Sequence, residues 1–389
     1  MEKRIVIAGG GFAGLRVARL LAKRLRGSAQ IILIDRQERF VFSPWLIDAL
    51  AGKMEIDEYS DAYEAAAKRG RFTFLRAEVK SVDRDAKKVA VTKTDGTSET
   101  VGYDLLVVCP GARPAYYGIQ GAEQATQPLK TLENLLQIHE KLRSLVLQAR
   151  TATPEERKKL LHFMVVGGGP TGIEAVFAMK RYLEDFVCCD TPALIKELRF
   201  TVVEGTPNLL NGFRPAISAG ARHELERQCI DVKTEMKAVS IDHGLITTEK
   251  ETLSGGLILW CAGVQANDLP FTPDISRDPK KNMQTDEALG LGQDIFGAGD
   301  AVLCLGANGK PAPRTAQIAM QEATALAANI IRYLQGRPLK PCLPALKGSL
   351  IVLGDTGYMD TPWFAIKTKL SLPLRHFLYR VRFYEMTGR

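Results

Sequence analysis

Short apolar runs that stop at glycine turns, each followed by a helical repeat, set the pattern of this chain. The run "RIVIA", Arg4 to Ala8, ends at Gly9-Gly10-Gly11-Phe12-Ala13-Gly14 and passes into "LRVARLLAKRL", apolar at helical spacing. A second apolar run, Ile31 to Ile34, ends on Asp35, twenty-one positions after Gly14. The same order then recurs. "LHFMVV" ends at Val166, Gly167-x-Gly169-x-x-Gly172 opens another helical pattern, and "RFTVV" ends on Glu204, thirty-two positions after Gly172. The segment around Cys188, Cys189 and Pro192 lengthens this second connection.

Strand, G-x-G-x-x-G, helix, strand and acid is the order a dinucleotide site requires. The glycines allow a tight turn and close backbone approach, the helix N-terminus offers N–H groups to a pyrophosphate, and the acid accepts from a ribose hydroxyl. Two complete copies predict an α/β chain with two Rossmann-like domains. A further echo supports duplication: "LLVVCPGARP" and "LILWCAGVQA" each run from an apolar strand through a cysteine to a glycine turn at Gly111 and Gly263. "DIFGAGDAV" then closes on Gly299-Asp300 before the helical "RTAQIAMQEATALAANIIRYL". This order predicts a discontinuous first domain, residues 1–120 and 280–340, with a second, 121–279, inserted in it and a C-terminal segment, 341–389. The charged stretch Gln148 to Leu161, with Pro154, is the expected exposed crossing.

Composition narrows the classes. With 389 residues, 46% hydrophobic and 25% charged, the chain is an ordinary folded protein of two or three units. The net charge of +8 suits anionic partners, but no arginine block with interleaved aromatics points to nucleic acid. Seven cysteines without a C-x-x-C pair argue for reduced thiols and against a zinc site or disulfide framework; no metal is expected. Arg16, Arg19 and the glycines break the N-terminal apolar stretch, which excludes an export signal. No uncharged apolar run reaches 18 residues, so no membrane span is expected.

Two dinucleotide sites with a late "GAGD" resemble the two-dinucleotide-binding-domain flavoproteins. The resemblance implies FAD at Gly9, Gly11, Phe12, Ala13, Gly14, Asp35, Arg36, Val79, Cys109, Gly111, Gly299, Asp300, Ala316 and Gln317. It implies NADH at Gly167, Gly169, Pro170, Thr171, Gly172, Glu174, Glu204, Ala262 and Gly263. Thiol exchange needs two thiols within bonding reach, and no cysteine lies between Asp35 and Cys109, so disulfide reduction is excluded. "GGGPTGIE", "LWCAGV", "IFGAGD" and "AQIAMQ" are more specifically similar to type II NADH dehydrogenases, which pass electrons from NADH through FAD to a quinone. That resemblance implies catalytic roles near the quinone for Glu174, Gln317, Gln321 and Lys347.

Each residue also has a plainer reading. Thr171-x-x-Glu174 has the spacing of a capping box. Gln317 and Gln321, at i and i+4, share a helix face, either as a solvated stripe or as amide donors to quinone oxygens. Cys109 and Cys261 end apolar strands and are expected to pack. Glu204 accepts from the 2′-hydroxyl of NADH and repels the 2′-phosphate of NADPH, so NADH preference is expected. Rival readings are a soluble reductase of ferredoxin or rubredoxin type, and a redox-sensing flavoprotein resembling apoptosis-inducing factors. From Pro362 to Arg389 six basic residues face one acid. A helix after Pro373 would align Leu374, Phe377, Leu378, Val381 and Tyr384, with Arg375, Arg380 and Arg382 on its flanks, suited either to anionic lipid or to a protein surface, including that of a homodimer. The expected location is peripheral, on the cytoplasmic side of the cell membrane.

Overall fold

The structure, a computed structural model, describes residues 2–389 except the side chains of Cys189 and Asp190, so Cys189 lies outside the described side chains. The first sheet is built around β1 (Lys3–Ala8), which pairs in parallel with β2 (Ala29–Asp35) on one side and β3 (Leu105–Val108) on the other. Ile5 to Ile7, Leu33, Ile34 and Leu106 to Val108 are completely buried, as unbroken apolar runs in a covered parallel sheet must be. Ile295–Gly297 extends the sheet beside β3, and Thr73–Asp83 extends it beside β2 into an antiparallel meander. The chain returns to this sheet at Phe271–Thr272, which pairs with Thr73–Asp83. Helix α1 (Phe12–Leu25) covers one face through Leu15, Val17, Ala18 and Leu21, and α2 (Leu46–Leu50) is a short turn nearby.

The second sheet, five parallel strands, has β4 (His162–Val166) at its centre between β5 (Arg199–Val203) and β6 (Leu257–Trp260). Its outer strands are Gln127–Pro128 and Ile230–Lys233. Helix α3 (Pro170–Asp190) has 21 residues where α1 has 14; the extra turns and the 3-10 turn Pro192–Glu197 account for the wider spacing between Gly172 and Glu204. The two echoed glycine turns meet, since Ala112–Pro114 pairs antiparallel with Val264–Ala266.

The capping-box expectation for Thr171 and Glu174 is overturned: α3 starts from Gly169 with no side-chain cap. Pro170 at the first helical position moves the start upstream, so Glu174 lies one turn inside the helix and its carboxylate is free for a distant partner. Helix α4 (Ala316–Leu334) packs on α1 and starts from Thr315, whose hydroxyl accepts from the Ile318 N–H. An extended stretch then leads into an antiparallel meander, β7 (Ser349–Leu353), β8 (Thr356–Asp360) and β9 (Ala365–Thr368), and into α5 (Ser371–Thr387). Phe383 and Met386 of α5 are buried against the first domain; each such side chain contributes ~1.5–3 kcal/mol.

Candidate active site

The two glycine loops are built alike. A Cβ on Gly14 would lie 1.8 Å from the Gly9 carbonyl oxygen, and one on Gly172 would lie 2.0 Å from that of Gly167; only glycine lets each helix sit so close to its strand. Gly11 and Gly169 face open space and start α1 and α3 without a side-chain cap. Their helix N-termini therefore keep N–H groups and positive dipole ends for an anion. Asp35 Oδ2 accepts from the Gly10 N–H at 2.6 Å, and Oδ1 from the Gln37 N–H at 2.8 Å. Glu204 repeats this, with Oε2 accepting from Gly168 at 2.6 Å and Oε1 from the Thr206 N–H at 2.8 Å and its hydroxyl at 2.7 Å. Each acid thus braces its loop with one oxygen, and the second lone pair of each oxygen can meet a ribose hydroxyl. Burial pushes the Asp35 carboxyl above its ordinary range against the hydrogen bonds from Gln37 and Gly10.

One continuous cavity of about 2890 Å³ joins the two loops. Gly9, Gly11, Phe12, Ala13, Asp35, Arg36, Cys109, Gly111, Gly299, Asp300, Ala316 and Gln317 line the first half. Gly167, Gly169, Pro170, Thr171, Glu174, Glu204, Ala262 and Gly263 line the second. Gly14 and Gly172 lie beneath it. Val79 corrects an expectation: it pairs with Val91 inside the meander and does not line the cavity. Cys109 and Cys261 are the only cysteines among the described residues that line it, and burial raises both thiols to about 12.

Other lining residues carried no readable signal in the sequence. Lys130 stands 3.9 Å from Asp300, Arg314 donates to the Val264 carbonyl at 2.7 Å, and the Tyr117 hydroxyl donates to the Ala262 carbonyl at 3.0 Å. Behind the Gly299-Asp300 turn, Glu322 accepts from the Gly299 N–H at 2.6 Å, and its burial raises it to about 7.

At the far end the AQIAMQ glutamines correct a further expectation: their amides are already engaged with backbone. Gln317 Oε1 accepts from the Lys347 N–H at 2.6 Å. Gln321 donates to the Ala345 carbonyl at 2.9 Å and accepts from its N–H at 3.2 Å. Asn329, two turns on, treats Lys340 the same way, at 2.7 and 2.9 Å. One polar face of α4 thus clamps the stretch 340–348 as a neighbouring strand would, and Leu346 and Lys347 form a cavity wall. Glu174, in the same cavity, is held by the Val352 N–H at 2.6 Å and by Arg375 at 2.9 Å. Burial raises its carboxyl; Arg375 and the Val352 N–H oppose the rise.

The sequence profile of the pyridine nucleotide-disulphide oxidoreductases matches residues 3–323, and the chain belongs to that family. It is 30% identical over 364 residues to a type II NADH:quinone oxidoreductase of Staphylococcus epidermidis, covering 91% of this chain and 88% of that one. It is 29% identical over 356 residues to the mitochondrial external NADH-ubiquinone oxidoreductase 2 of Saccharomyces cerevisiae, covering 86% of this chain and spanning 63% of the yeast protein. Among solved structures, NDH2 from Plasmodium falciparum in complex with NADH superposes with a TM-score of 0.87 at 20% identity, over 100% of this chain and 98% of that one. This likeness concerns the fold.

Proposed function

We propose that the chain is an FAD-dependent NADH:quinone oxidoreductase working at a membrane surface. The observation that carries the reading is the single cavity, in which two dinucleotide cradles and the AQIAMQ wall line one continuous space. Gly9, Gly11 and the N-terminus of α1 would hold the FAD pyrophosphate, with Asp35 at its ribose and Asp300 at the ribityl chain. Bound there, FAD supplies a hydride acceptor and an electron donor to quinone. The Gly167–Gly172 loop, the N-terminus of α3 and Glu204 would hold NADH, and the carboxylate disfavours a 2′-phosphate.

Thiol chemistry is a poor fit, because Cys109 and Cys261 stay protonated thiols at neutral pH. Glu174, a carboxyl with raised proton affinity at the cavity wall, suits proton delivery to a reduced quinone. Lys347, in the wall clamped by Gln317 and Gln321, suits charge stabilisation there. Outside the cavity, Trp363, Leu370 and Phe377 are 81, 70 and 66% exposed and share the C-terminal segment with exposed Lys367, Lys369 and Arg380. An apolar face ringed by cations suits the surface of an anionic bilayer, and we assign it to peripheral attachment on the cytoplasmic side.

The test is a visible-spectrum titration of the purified holoprotein under anaerobic conditions. Flavin bands should bleach with NADH and return on adding a short-chain quinone. Return with ferredoxin and not with quinone would overturn the acceptor assignment.

A further inference from the structure

Glu174, Arg375, Asp48 and His376 form a row from the cavity to solvent. Arg375 of α5 is the bulkiest fully buried side chain among the described residues. Its Nη1 lies 2.9 Å from Glu174 Oε1, and its Nη2 donates to Asp48 Oδ1 of α2 at 2.7 Å. Asp48 Oδ1 in turn lies 3.3 Å from Nε2 of His376, whose side chain is 46% exposed. Asp48 Oδ2 is buried with no protein partner. Tyr379, with its ring 5.9 Å from the Arg375 guanidinium, completes the ionisable groups of the cluster, and β7 contributes only the Val352 N–H.

Charge arithmetic determines how many protons this row holds. Two carboxylates and one guanidinium leave one negative charge uncompensated in a buried place, which is costly. One additional proton removes the imbalance, and it has two homes: a buried carboxyl at the cavity end, or His376 at the solvent end, where the cation would face Asp48. Burial raises the proton affinity of Glu174, and Arg375 and the Val352 N–H oppose the rise. The reaction proposed above, NADH + H⁺ + quinone → NAD⁺ + quinol, takes up one proton per turnover, and the row holds one.

We propose that His376, Asp48 and Glu174 form a one-proton feed to the quinone, with Arg375 as the fixed cation that holds the two carboxylates in line. Of the two protons in the quinol one derives from the NADH hydride, and Glu174 gives the other to a quinone oxygen as the two electrons arrive. Asp48 takes a replacement from His376 Nε2 and returns it to Glu174, the two carboxylates being held on the two terminal nitrogens of one guanidinium, and His376 is reprotonated from water. Charge is conserved at each transfer, because Arg375 stays protonated throughout. The inference rests on the quinone-reductase reading.

The experiment is stopped-flow reoxidation of NADH-reduced holoenzyme by a short-chain quinone between pH 6 and 9, for wild type, His376→Ala and Asp48→Asn. Wild-type enzyme that quinone does not reoxidise would overturn the quinone reading, and the feed with it. With wild type active, His376→Ala should slow reoxidation about tenfold at pH 8, and added imidazole should restore it. Reduction by NADH should stay unchanged. Asp48→Asn should be slow without imidazole rescue, since the missing carrier lies behind the histidine. A His376→Ala profile superimposable on wild type, or imidazole rescue of Asp48→Asn, would overturn the feed.

Discussion

Glu322 shows how one buried carboxyl links the binding site to stability. It sits behind the Gly299-Asp300 turn, accepts from the Gly299 N–H and approaches the Cys304 thiol. Burial, aided by Asp300, raises it from 4.5 to about 7. A carboxyl with a raised folded-state pKa favours the folded state while protonated, and that contribution is lost as pH climbs from the unfolded value through about 7. The shift corresponds to at most about 3 kcal/mol. Glu322→Gln keeps an acceptor for Gly299 and cannot ionise. Its stability relative to wild type should therefore rise between pH 5 and pH 8, read from urea midpoints at both values. Parallel midpoints across that range would show that the carboxyl does not titrate as described.

At the scale of elements, α4 does more than cover the first sheet. Its amide face, Gln317, Gln321 and Asn329, replaces the backbone partners that the stretch 340–348 would otherwise lack, and so places Lys347. Gln321→Leu removes two hydrogen bonds to Ala345, a loss of about 1–2 kcal/mol. It should lower the urea midpoint and slow reoxidation by quinone several-fold, with the rate of reduction by NADH preserved. Equal slowing of both half-reactions would instead mean that the helix itself had moved. The stripe at i and i+4 was legible in the sequence; its partner was not, because backbone carbonyls and N–H groups leave no mark in side-chain patterning. The strands, glycine loops and bracing acids were legible for the opposite reason: each is fixed by residues close together in the chain. Asp48 and Arg375, 327 positions apart, carry no such local signature.

Across the whole molecule, α5 serves two environments at once. Arg375, expected on a lipid-facing flank, is instead buried, with Asp48 and Glu174 as its partners. Phe383 and Met386 also turn inward, and the Arg389 guanidinium meets the buried Asp61 at 2.9 Å. Phe377, Leu378, Val381 and Tyr384 remain exposed on the opposite face. Removing the segment after Thr361 would therefore strip the core and leave Glu174 and Asp48 unpaired, a loss of about 3–5 kcal/mol for the ion cluster alone. It would test folding before it tested attachment. Leu370→Asp with Phe377→Asp is the cleaner probe, since both side chains are exposed and neither lines the cavity. Each leaves an apolar contact worth up to ~2 kcal/mol and places a negative charge against anionic lipid. The double variant should lose co-flotation with phosphatidylserine-containing vesicles at low salt, while its rate with a water-soluble quinone stays within about twofold of wild type, as expected for distant surface changes. Undiminished flotation would mean that this face does not hold the protein on the bilayer.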